Sequence, residues 1–141
     1  MKIKKSSLRK LGEELEAAQK ALVIKLYGTD CYTCSSKDLQ GRNKQLGHVP
    51  WPRTKLSTVC KYDYRYTRIQ CVGCNGPGGQ GMGATAALRM AKEGIDVAAL
   101  WVESEQTKGK TCNRKWIESR ILDYTNQLAG KPQETVVLFG A

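Results

Sequence analysis

The sequence predicts an α+β fold, in which amphipathic helices flank a small irregular core. Near both ends of the chain, apolar residues recur at steps of three and four, which is the pattern of a helix with one apolar face. Between these helices, residues 30–75 contain many Gly, Pro and Asn residues and only short β-prone pieces. Two Cys-x-x-Cys pairs bracket the same segment. A chain of 141 residues fits one domain, which we divide into a helix at 7–27, a core at 30–95, helices at 96–130 and a tail at 131–141.

The first helix is predicted between Ser7 and Tyr27. Ser7 can accept a hydrogen bond from the first turn as its N-cap, and Gly28 can end the helix in a left-handed conformation. The apolar stripe of this helix consists of Leu8, Leu11, Leu15, Ala18, Leu22 and Leu26.

Four of the six cysteines have the spacing of a structural zinc site. A gap of two residues lets both sulfurs of a pair turn toward one ion about 2.3 Å away. The two pairs complete a tetrahedral set, formed by Cys31, Cys34, Cys71 and Cys74. Disulfides are the alternative, but charged residues rather than an apolar signal core open the sequence, which favours metal. We expect Cys60 and Cys112 to be free thiols, and the order of the core to depend on the ion.

Two short β-prone pieces, Gln45–Val49 and Lys55–Val59, predict a small hairpin built on the metal. Tyr62, Tyr64 and Tyr66 also alternate as in a strand, with polar residues between them on the opposite face. We expect these tyrosines to cover the zinc hairpin, and stacking on unpaired bases is the alternative.

Three helices are predicted after the core, each with its own start or stop signal. They run from Ala84 to Glu93 with Gly94 as the stop, from a cap at Asp96 to about Glu105, and from a cap at Asn113 to Gly130. The glycine-rich run 76–83 before them predicts no regular structure. No Gly-Lys-Ser/Thr follows it, so it is not a P-loop and implies no nucleotide cofactor. Residues 135–139 suit either a terminal strand or an ordered tail.

Positive charge is concentrated in the middle of the chain. The sequence has 23 Lys and Arg against 13 Asp and Glu, a net charge of +10 at pH 7. Seven basic residues and one acid, Asp63, fall between positions 42 and 68. Such a concentration indicates a polyanion ligand, because each neutralised phosphate releases a counterion; a solvated basic face is the alternative. The candidate phosphate contacts are Arg42, Lys44, Arg53, Lys55, Lys61, Arg65 and Arg68.

Trp51 lies between Pro50 and Pro52, three residues after the single histidine, His48. Prolines on both sides favour an extended segment, so we do not expect Trp51 deep in the core. We interpret Trp51 as a candidate to stack on DNA or to wedge against it.

The order of the motifs resembles one family of nucleases. The motifs are Cys31-x-x-Cys34, Gly47-His48, Gln70-Cys71-x-x-Cys74-Asn75 and a helix ending in Gly94-Ile95-Asp96. In this order the chain resembles the phage NinG/Rap recombination nucleases, which belong with the zinc-stapled HNH or ββα-metal endonucleases, and it is similar to phage recombination endonuclease VII. The resemblance extends from about Ser7 to Leu128 and includes the Trp-containing segment 111–128. It implies that residues 30–95 form a zinc-bound ββα-metal, HNH-like core.

The resemblance implies roles for His48 and Asn75. His48 takes the place of the general base, and an imidazole that is neutral near pH 7 suits that task. Asn75 takes the place of a ligand to a catalytic divalent ion, Mg²⁺ or Mn²⁺, whose shell accepts an amide oxygen. The alternatives are a plain hydrogen bond from His48 to a backbone carbonyl, and closure by Asn75 of the turn after the second cysteine pair.

Two positions depart from the wider pattern. Many HNH sites have an acid immediately before the histidine, where this chain has Gly47, as the NinG/Rap pattern does. Tyr66 stands where the family has Asn, and Arg68 replaces another polar position. The set of metal ligands is therefore incomplete. The histidine is itself a second candidate ligand, and the further oxygens are expected from Gln80, Asp63, phosphate or water.

The resulting hypothesis is a metal-dependent endonuclease, a Holliday-junction-resolvase-like hydrolase that cleaves Holliday junctions or D-loops by phosphodiester hydrolysis. Its partner is branched or duplex DNA, and paired cleavage calls for a homodimer, formed through the first helix or the segment 111–128. The alternative is a catalytically silent zinc module that binds DNA or a recombination partner. An RNA-binding zinc ribbon would leave His48 and Asn75 without a role. No apolar run suits a membrane span, so we expect a cytoplasmic protein, in the host bacterial cytoplasm if it is phage-encoded.

Overall fold

A computed structural model of the chain describes residues 7–76 and 82–130. Their regular elements are α1 Leu8–Tyr27, β1 Gln45–His48, α2 Thr58–Lys61, β2 Thr67–Gln70, α3 Val72–Asn75, α4 Met82–Lys92, α5 Val97–Thr107 and α6 Arg114–Leu128. Short 3₁₀ turns lie at Gly41–Asn43, Arg53–Lys55 and Tyr64–Tyr66. Helices combined with a small antiparallel sheet agree with the predicted α+β class. Within the described ranges, no helix combines the length and the apolar character that crossing a membrane requires.

The predicted first helix is confirmed, and the middle of its apolar stripe packs on α6, whereas Leu8 and Leu26 at the two ends of the stripe are exposed. The Ser7 hydroxyl accepts a hydrogen bond from the Lys10 amide at 3.2 Å. Gly28, at φ 83°, ends α1 in a backbone conformation that favours glycine. The two helices bury one apolar cluster between them, whose members include Leu11, Leu15, Leu22, Trp116, Ile117 and Tyr124. The two helices lie with their C-terminal ends adjacent, where the Lys25 ammonium donates to the carbonyls of Gln127 and Leu128 at 2.9 Å.

The two strands form an antiparallel pair, in which Gln45 lies opposite Gln70 and His48 lies opposite Thr67. β1 confirms the first of the two predicted strands. All four residues of β2 are buried, and Ile69 packs in a cluster with Val23 of α1. β2 is therefore the most enclosed element near the cysteines.

The second predicted strand, Lys55–Val59, is wrong. Lys55 ends a 3₁₀ turn, and Thr58–Lys61 is the short helix α2. The hydroxyl of Ser57 accepts a hydrogen bond from the Cys60 amide at 3.2 Å and so caps α2. A local side-chain cap here outweighs the β propensity of the neighbouring residues.

The predicted strand through Tyr62, Tyr64 and Tyr66 is also wrong. Residues 64–66 form a 3₁₀ turn, in which the Asp63 carboxylate accepts a hydrogen bond from the Arg65 amide at 2.9 Å. Tyr66 is buried in a different cluster from Tyr62 and Tyr64. Of the three, Tyr64 also packs against the cluster that contains Cys31, so the three rings do not form one surface over the cysteines.

The predicted caps of the two later helices are confirmed. The Asp96 side chain accepts a hydrogen bond from the Ala99 amide at 3.0 Å and caps α5. The Asn113 side chain accepts one from the Trp116 amide at 3.0 Å and caps α6. Both helices therefore begin where the sequence placed them.

Helix α4 begins earlier than predicted. It starts at Met82, so Gly83 is helical although the glycine-rich run predicted no regular structure there. Gly94, at φ 83°, follows the helix as expected. Residues 77–81 of the glycine-rich run and the uncertain strand at 135–139 lie outside the described residues.

Candidate metal centre and adjoining groove

The two Cys-x-x-Cys pairs come together beyond the end of β2. The four sulfur atoms of Cys31, Cys34, Cys71 and Cys74 all lie within 4.8 Å of one another. Those of Cys34 and Cys71 are 3.8 Å apart. Ligands of a tetrahedral zinc with bonds of about 2.3 Å are themselves about 3.8 Å apart, so the spacing fits. The cluster could therefore hold one structural zinc ion.

Each pair is positioned by a turn next to a regular element. Cys71 directly follows β2 and caps α3, whereas the first pair lies in a turn after α1, where the Ser35 amide donates to the Cys31 carbonyl at 3.0 Å. The Tyr32 amide joins this turn to the sheet by donating to the Ile69 carbonyl at 2.9 Å. Across the cluster, the Cys71 amide donates to the sulfur of Cys31 at 3.3 Å. Such amide donors orient a sulfur ligand and stabilise its negative charge.

The charge state of the cluster favours a bound cation. Hydrogen bonds with Ser36 lower the pKa of the exposed Cys34 thiol to about 6, which favours its thiolate form. Burial and the neighbouring sulfurs, first those of Cys71 and Cys31, raise the pKa of Cys74. Adjacent thiolates resist ionising together without a compensating positive charge. A divalent cation would supply that charge and deprotonate all four thiols.

His48, the last residue of β1, is partly buried, and its ring is anchored to the backbone. Its Nε2 lies 2.9 Å from the carbonyl oxygen of Lys61. A carbonyl only accepts, so Nε2 carries the proton and Nδ1 of the neutral ring is an acceptor. Burial lowers the pKa of His48; the Lys61 hydrogen bond opposes this effect, and the positive charges of Arg53 and Lys61 add to it. The ring therefore makes the carbonyl hydrogen bond that was the alternative to a catalytic role, and its Nδ1 is an unprotonated acceptor.

Two clefts meet at His48 and Asn75. The larger cleft, about 890 Å³, follows residues 48–54 to the start of α4, and the smaller, about 580 Å³, lies between α1 and β1. His48, Arg53 and Asn75 line both clefts. We call the joined clefts the groove. Side chains at positions 48 and 75, which are distant in sequence, therefore border the same space.

Gly47 lies at the position where many HNH sites have an acid. A Cβ atom on Gly47 would lie 1.8 Å from Oε1 of Gln70 and 2.7 Å from Oδ1 of Asn75. Two amide oxygens from other elements therefore fill the space that a side chain at position 47 would take. Gln70 was not among the predicted site residues, and its only signal in the sequence was its place directly before Cys71.

Comparison with known proteins adds no relative. No protein-family model, no curated protein and no solved structure matches the chain. The resemblance to the NinG/Rap nucleases therefore depends on the motif residues and stays a prediction. Function has to be argued from the site itself.

One suggested source of a missing metal oxygen is held elsewhere. The carboxylate of Asp63 is buried and pairs with Arg65 at 2.7 Å and with Arg120 at 3.9 Å. It also accepts the hydrogen bond of the 3₁₀ turn that precedes β2. Asp63 is therefore a structural anion and does not line the groove. Gln80, the other suggested side chain, lies outside the described residues.

The predicted phosphate contacts differ in how freely they can move. Those that are exposed or partly exposed are Arg42, Lys44, Arg53, Lys55, Lys61 and Arg65. Arg53 lines the groove and pairs with Glu16 of α1 at 3.0 Å. Arg65 is bound on two sides, by Asp63 at 2.7 Å and by Glu103 at 2.6 Å. A phosphate would therefore meet Arg53 more readily than Arg65.

The interpretation of Arg68 as a phosphate contact has to be corrected. Arg68 is 1% exposed, and its guanidinium lies 3.9 Å from the ring centre of Tyr27 and 5.3 Å from that of Tyr32. It donates a hydrogen bond to the Thr67 carbonyl at 2.7 Å. The count of basic residues along the sequence included Arg68, although this side chain is buried in the folded chain and does not face a ligand.

Trp51 is partly buried, in keeping with the expectation that it stays out of the deep core. Its ring centre lies 5.1 Å from that of Trp101 and 6.3 Å from that of Tyr66. Trp51 also lines the larger cleft of the groove. Stacking of Trp51 on DNA stays a prediction.

Proposed function

We propose that this protein is a metal-dependent, structure-selective DNA endonuclease that cleaves branched recombination intermediates by phosphodiester hydrolysis. The observation that supports it most is the shared groove, where a neutral, backbone-anchored imidazole and an amide oxygen ligand border one space beside the cysteine cluster. A neutral imidazole with one acceptor nitrogen is the form that a general base needs. The choice of branched DNA as substrate follows the resemblance to the NinG/Rap nucleases.

In this proposal, Nδ1 of His48 takes a proton from the water that attacks the scissile phosphorus. Nε2 keeps its bond to the Lys61 carbonyl, which holds the ring in place and stabilises the charge that it gains. Oδ1 of Asn75 is a ligand for Mg²⁺ or Mn²⁺, which when bound would neutralise charge on the phosphate and on the leaving 3′ oxygen. The product then carries a 5′ phosphate.

The cysteine cluster has a structural role in this proposal. Four sulfur ligands complete a tetrahedral zinc and leave no open position for water or substrate. The cluster ties the turn after α1 to the end of β2, and Asn75 follows Cys74 directly. Loss of the zinc would therefore displace Asn75 as well as the cysteines.

The basic residues near the groove support DNA as the ligand. Arg53 lines both clefts, and the neighbouring Lys55 is exposed. Contacts of this kind position a duplex through its phosphates without reading its sequence. Such contacts suit a nuclease that recognises the shape of DNA.

A homodimer is part of the proposal, because resolving a junction requires two cuts and therefore two sites. The apolar stripes of α1 and α6 pack against each other within the chain. A dimer through these helices would therefore use their outer faces, where Leu26 is 49% and Leu122 is 62% exposed.

One observation favours the silent zinc module as the second candidate. Among the described residues that line the larger cleft, none is Asp or Glu, and of the two glutamates in the smaller cleft, Glu13 and Glu16, the latter is paired with Arg53. Divalent ions in nucleic-acid enzymes are usually held by at least one carboxylate. A module that only binds DNA would need no such ligand.

A junction-cleavage assay separates the two candidates. The zinc-loaded protein is incubated with a labelled four-way junction and Mg²⁺ or Mn²⁺, beside His48→Ala and a control variant, Lys92→Ala, at an exposed position on α4. We expect the wild type and Lys92→Ala to nick the junction, and His48→Ala to be slower by about 10²–10⁴-fold with unchanged binding. Nicking that survives His48→Ala would refute the proposal. Binding without cleavage in either metal would favour the silent module.

A further inference from the structure

The space beside Gly47 holds a second amide oxygen, that of Gln70, to which the proposed function assigns no role. Gln70 is 4% exposed, and its amide oxygen lies 1.8 Å from the position that a Gly47 Cβ would occupy. The amide oxygen of Asn75 lies 2.7 Å from the same point. The two oxygens are therefore no farther apart than these two distances combined.

Both amide groups are held by their nitrogen ends. Nε2 of Gln70 donates to the Thr33 hydroxyl at 2.7 Å, and Nδ2 of Asn75 donates to Oε1 of Gln45 at 2.9 Å. No described residue donates a hydrogen bond to either amide oxygen. Asn75 is exposed, so water reaches its amide oxygen, and two partially negative oxygens that face one space can bind a cation in place of water.

We propose that Oε1 of Gln70 and Oδ1 of Asn75 together form a binding site for a hard divalent cation. Gly47 has no side chain, and this leaves room for the Gln70 oxygen where many HNH sites have an acid. The catalytic use of this cation rests on the proposed nuclease function, whereas its binding does not.

The ligand chemistry suits Mg²⁺ or Mn²⁺. Adjacent oxygens around an octahedral Mg²⁺ with bonds of about 2.1 Å are about 3 Å apart, which two oxygens sharing the Gly47 space can reach. Both ligands are neutral, so the ion keeps several waters and binds weakly by itself. Phosphate oxygens of DNA complete its shell, which makes tight binding depend on the substrate.

The position of His48 is compatible with catalysis by such an ion. His48 and Asn75 line the same two clefts, and Gln70 lines the larger one, so the imidazole and the two amide oxygens border a common space. Phosphoryl transfer places the attacking and leaving oxygens in line on opposite sides of phosphorus. A base and a cation that border one space can act on the two sides of a phosphate bound there.

Paramagnetic broadening by Mn²⁺ locates the site without any activity measurement. The zinc-loaded, ¹⁵N-labelled protein is titrated with MnCl₂ while the side-chain amide signals are followed. We expect the signals of Gln70 and Asn75 to broaden first, and that of Gln106, exposed on α5, to persist. If the signals near Glu13 and Glu16, the carboxylates in the smaller cleft, broaden first, the proposed site is refuted.

Variants at the site test which oxygen binds. Gly47→Ala places a methyl group against the end of the flexible Gln70 side chain, which can move aside, so the fold persists while the oxygen leaves the site. We expect Mn²⁺ affinity to fall about tenfold or more in Gly47→Ala, and to rise in Gln70→Glu, whose carboxylate adds charge. Gln106→Ala should match the wild type, and all variants should retain one zinc. Wild-type affinity in Gly47→Ala or Gln70→Glu would overturn the proposal.

A double variant gives a rescue. Gly47→Asp combined with Gln70→Ala supplies a carboxylate at the position before the histidine, and we expect it to restore the Mn²⁺ binding that Gln70→Ala alone loses. The two proposals fail separately. If Mn²⁺ binds as described but the junction is not nicked, the proposed nuclease function is refuted and the proposed cation site is supported. If nicking depends on His48 but is unchanged in Gly47→Ala and Gln70→Ala, the proposed cation site is refuted and the proposed nuclease function is supported.

Discussion

Removal of metal from the cysteine cluster should cost the protein a substantial share of its folding stability. Cys34 and Cys71 are 37 positions apart, so a zinc ion that binds both closes a loop of about that length. Closing such a loop stabilises the folded state by about 4 kcal/mol through the lost entropy of the unfolded chain. Domains of this size have a total free energy of unfolding of about 5–15 kcal/mol. The apo protein should therefore be marginally stable or partly unfolded.

Denaturant unfolding followed by circular dichroism measures this effect, with elemental analysis of the purified protein beside it. We expect about one zinc per chain, and a lower unfolding midpoint after a strong chelator is added. Cys71→Ser should show the lower midpoint already, with no further change on chelation. Cys112→Ser, which alters a thiol outside the cluster, should behave as the wild type.

Two results would refute this reasoning. An absence of bound metal in protein purified without chelators would mean that the four sulfurs do not form a zinc site. An unchanged unfolding midpoint after chelation would mean that the loop is held by the protein alone.

Three further measurements test other parts of the structure. Leu15→Ala, in the interface of α1 with α6, should lower the free energy of unfolding by about 2–5 kcal/mol. Leu8→Ala, at a 54% exposed position, should change it little. Equal effects of the two substitutions would contradict the packing. Junction nicking should continue below pH 6.5, the ordinary pKa of histidine, because the lowered pKa of His48 keeps the base neutral to lower pH. A nicking rate that already falls above pH 6.5 as the pH is lowered would refute this. Lys55→Ala should weaken DNA binding and reduce the slope of log affinity against log salt by about 1, and Lys92→Ala should do so less. Equal slopes would argue against a phosphate contact at Lys55.

Helix positions were predictable because their signals are local. The caps at Ser7, Asp96 and Asn113 each act within three residues, and each is present in the structure. The same kind of signal also explains the errors. Caps at Ser57 and Asp63 turn two predicted strands into a short helix and a 3₁₀ turn, because a side chain that accepts a nearby amide outweighs β propensity.

The candidate site could be predicted only in part. The cysteine spacing predicted that the two pairs would meet, since one ion requires all four sulfurs. The role of Gln70 was not predictable, because it depends on an empty space at Gly47 and on a bond to Thr33, which lies 37 positions away. Burial of Arg68 was hidden for the same reason, since it results from packing on distant tyrosines.

The ion pair across the groove gives the protein a way to distinguish a polymer from a small anion. An arriving phosphate must displace the Glu16 carboxylate from Arg53, where the two side chains are 3.0 Å apart and about half exposed. Such an exposed pair is worth about 0–1 kcal/mol, so a strand that makes many contacts at once overcomes it easily. For inorganic phosphate or a free nucleotide, with one or two contacts, the same cost lowers the affinity by at most about fivefold. Glu16 would thereby give only a modest preference for ligands that make many contacts.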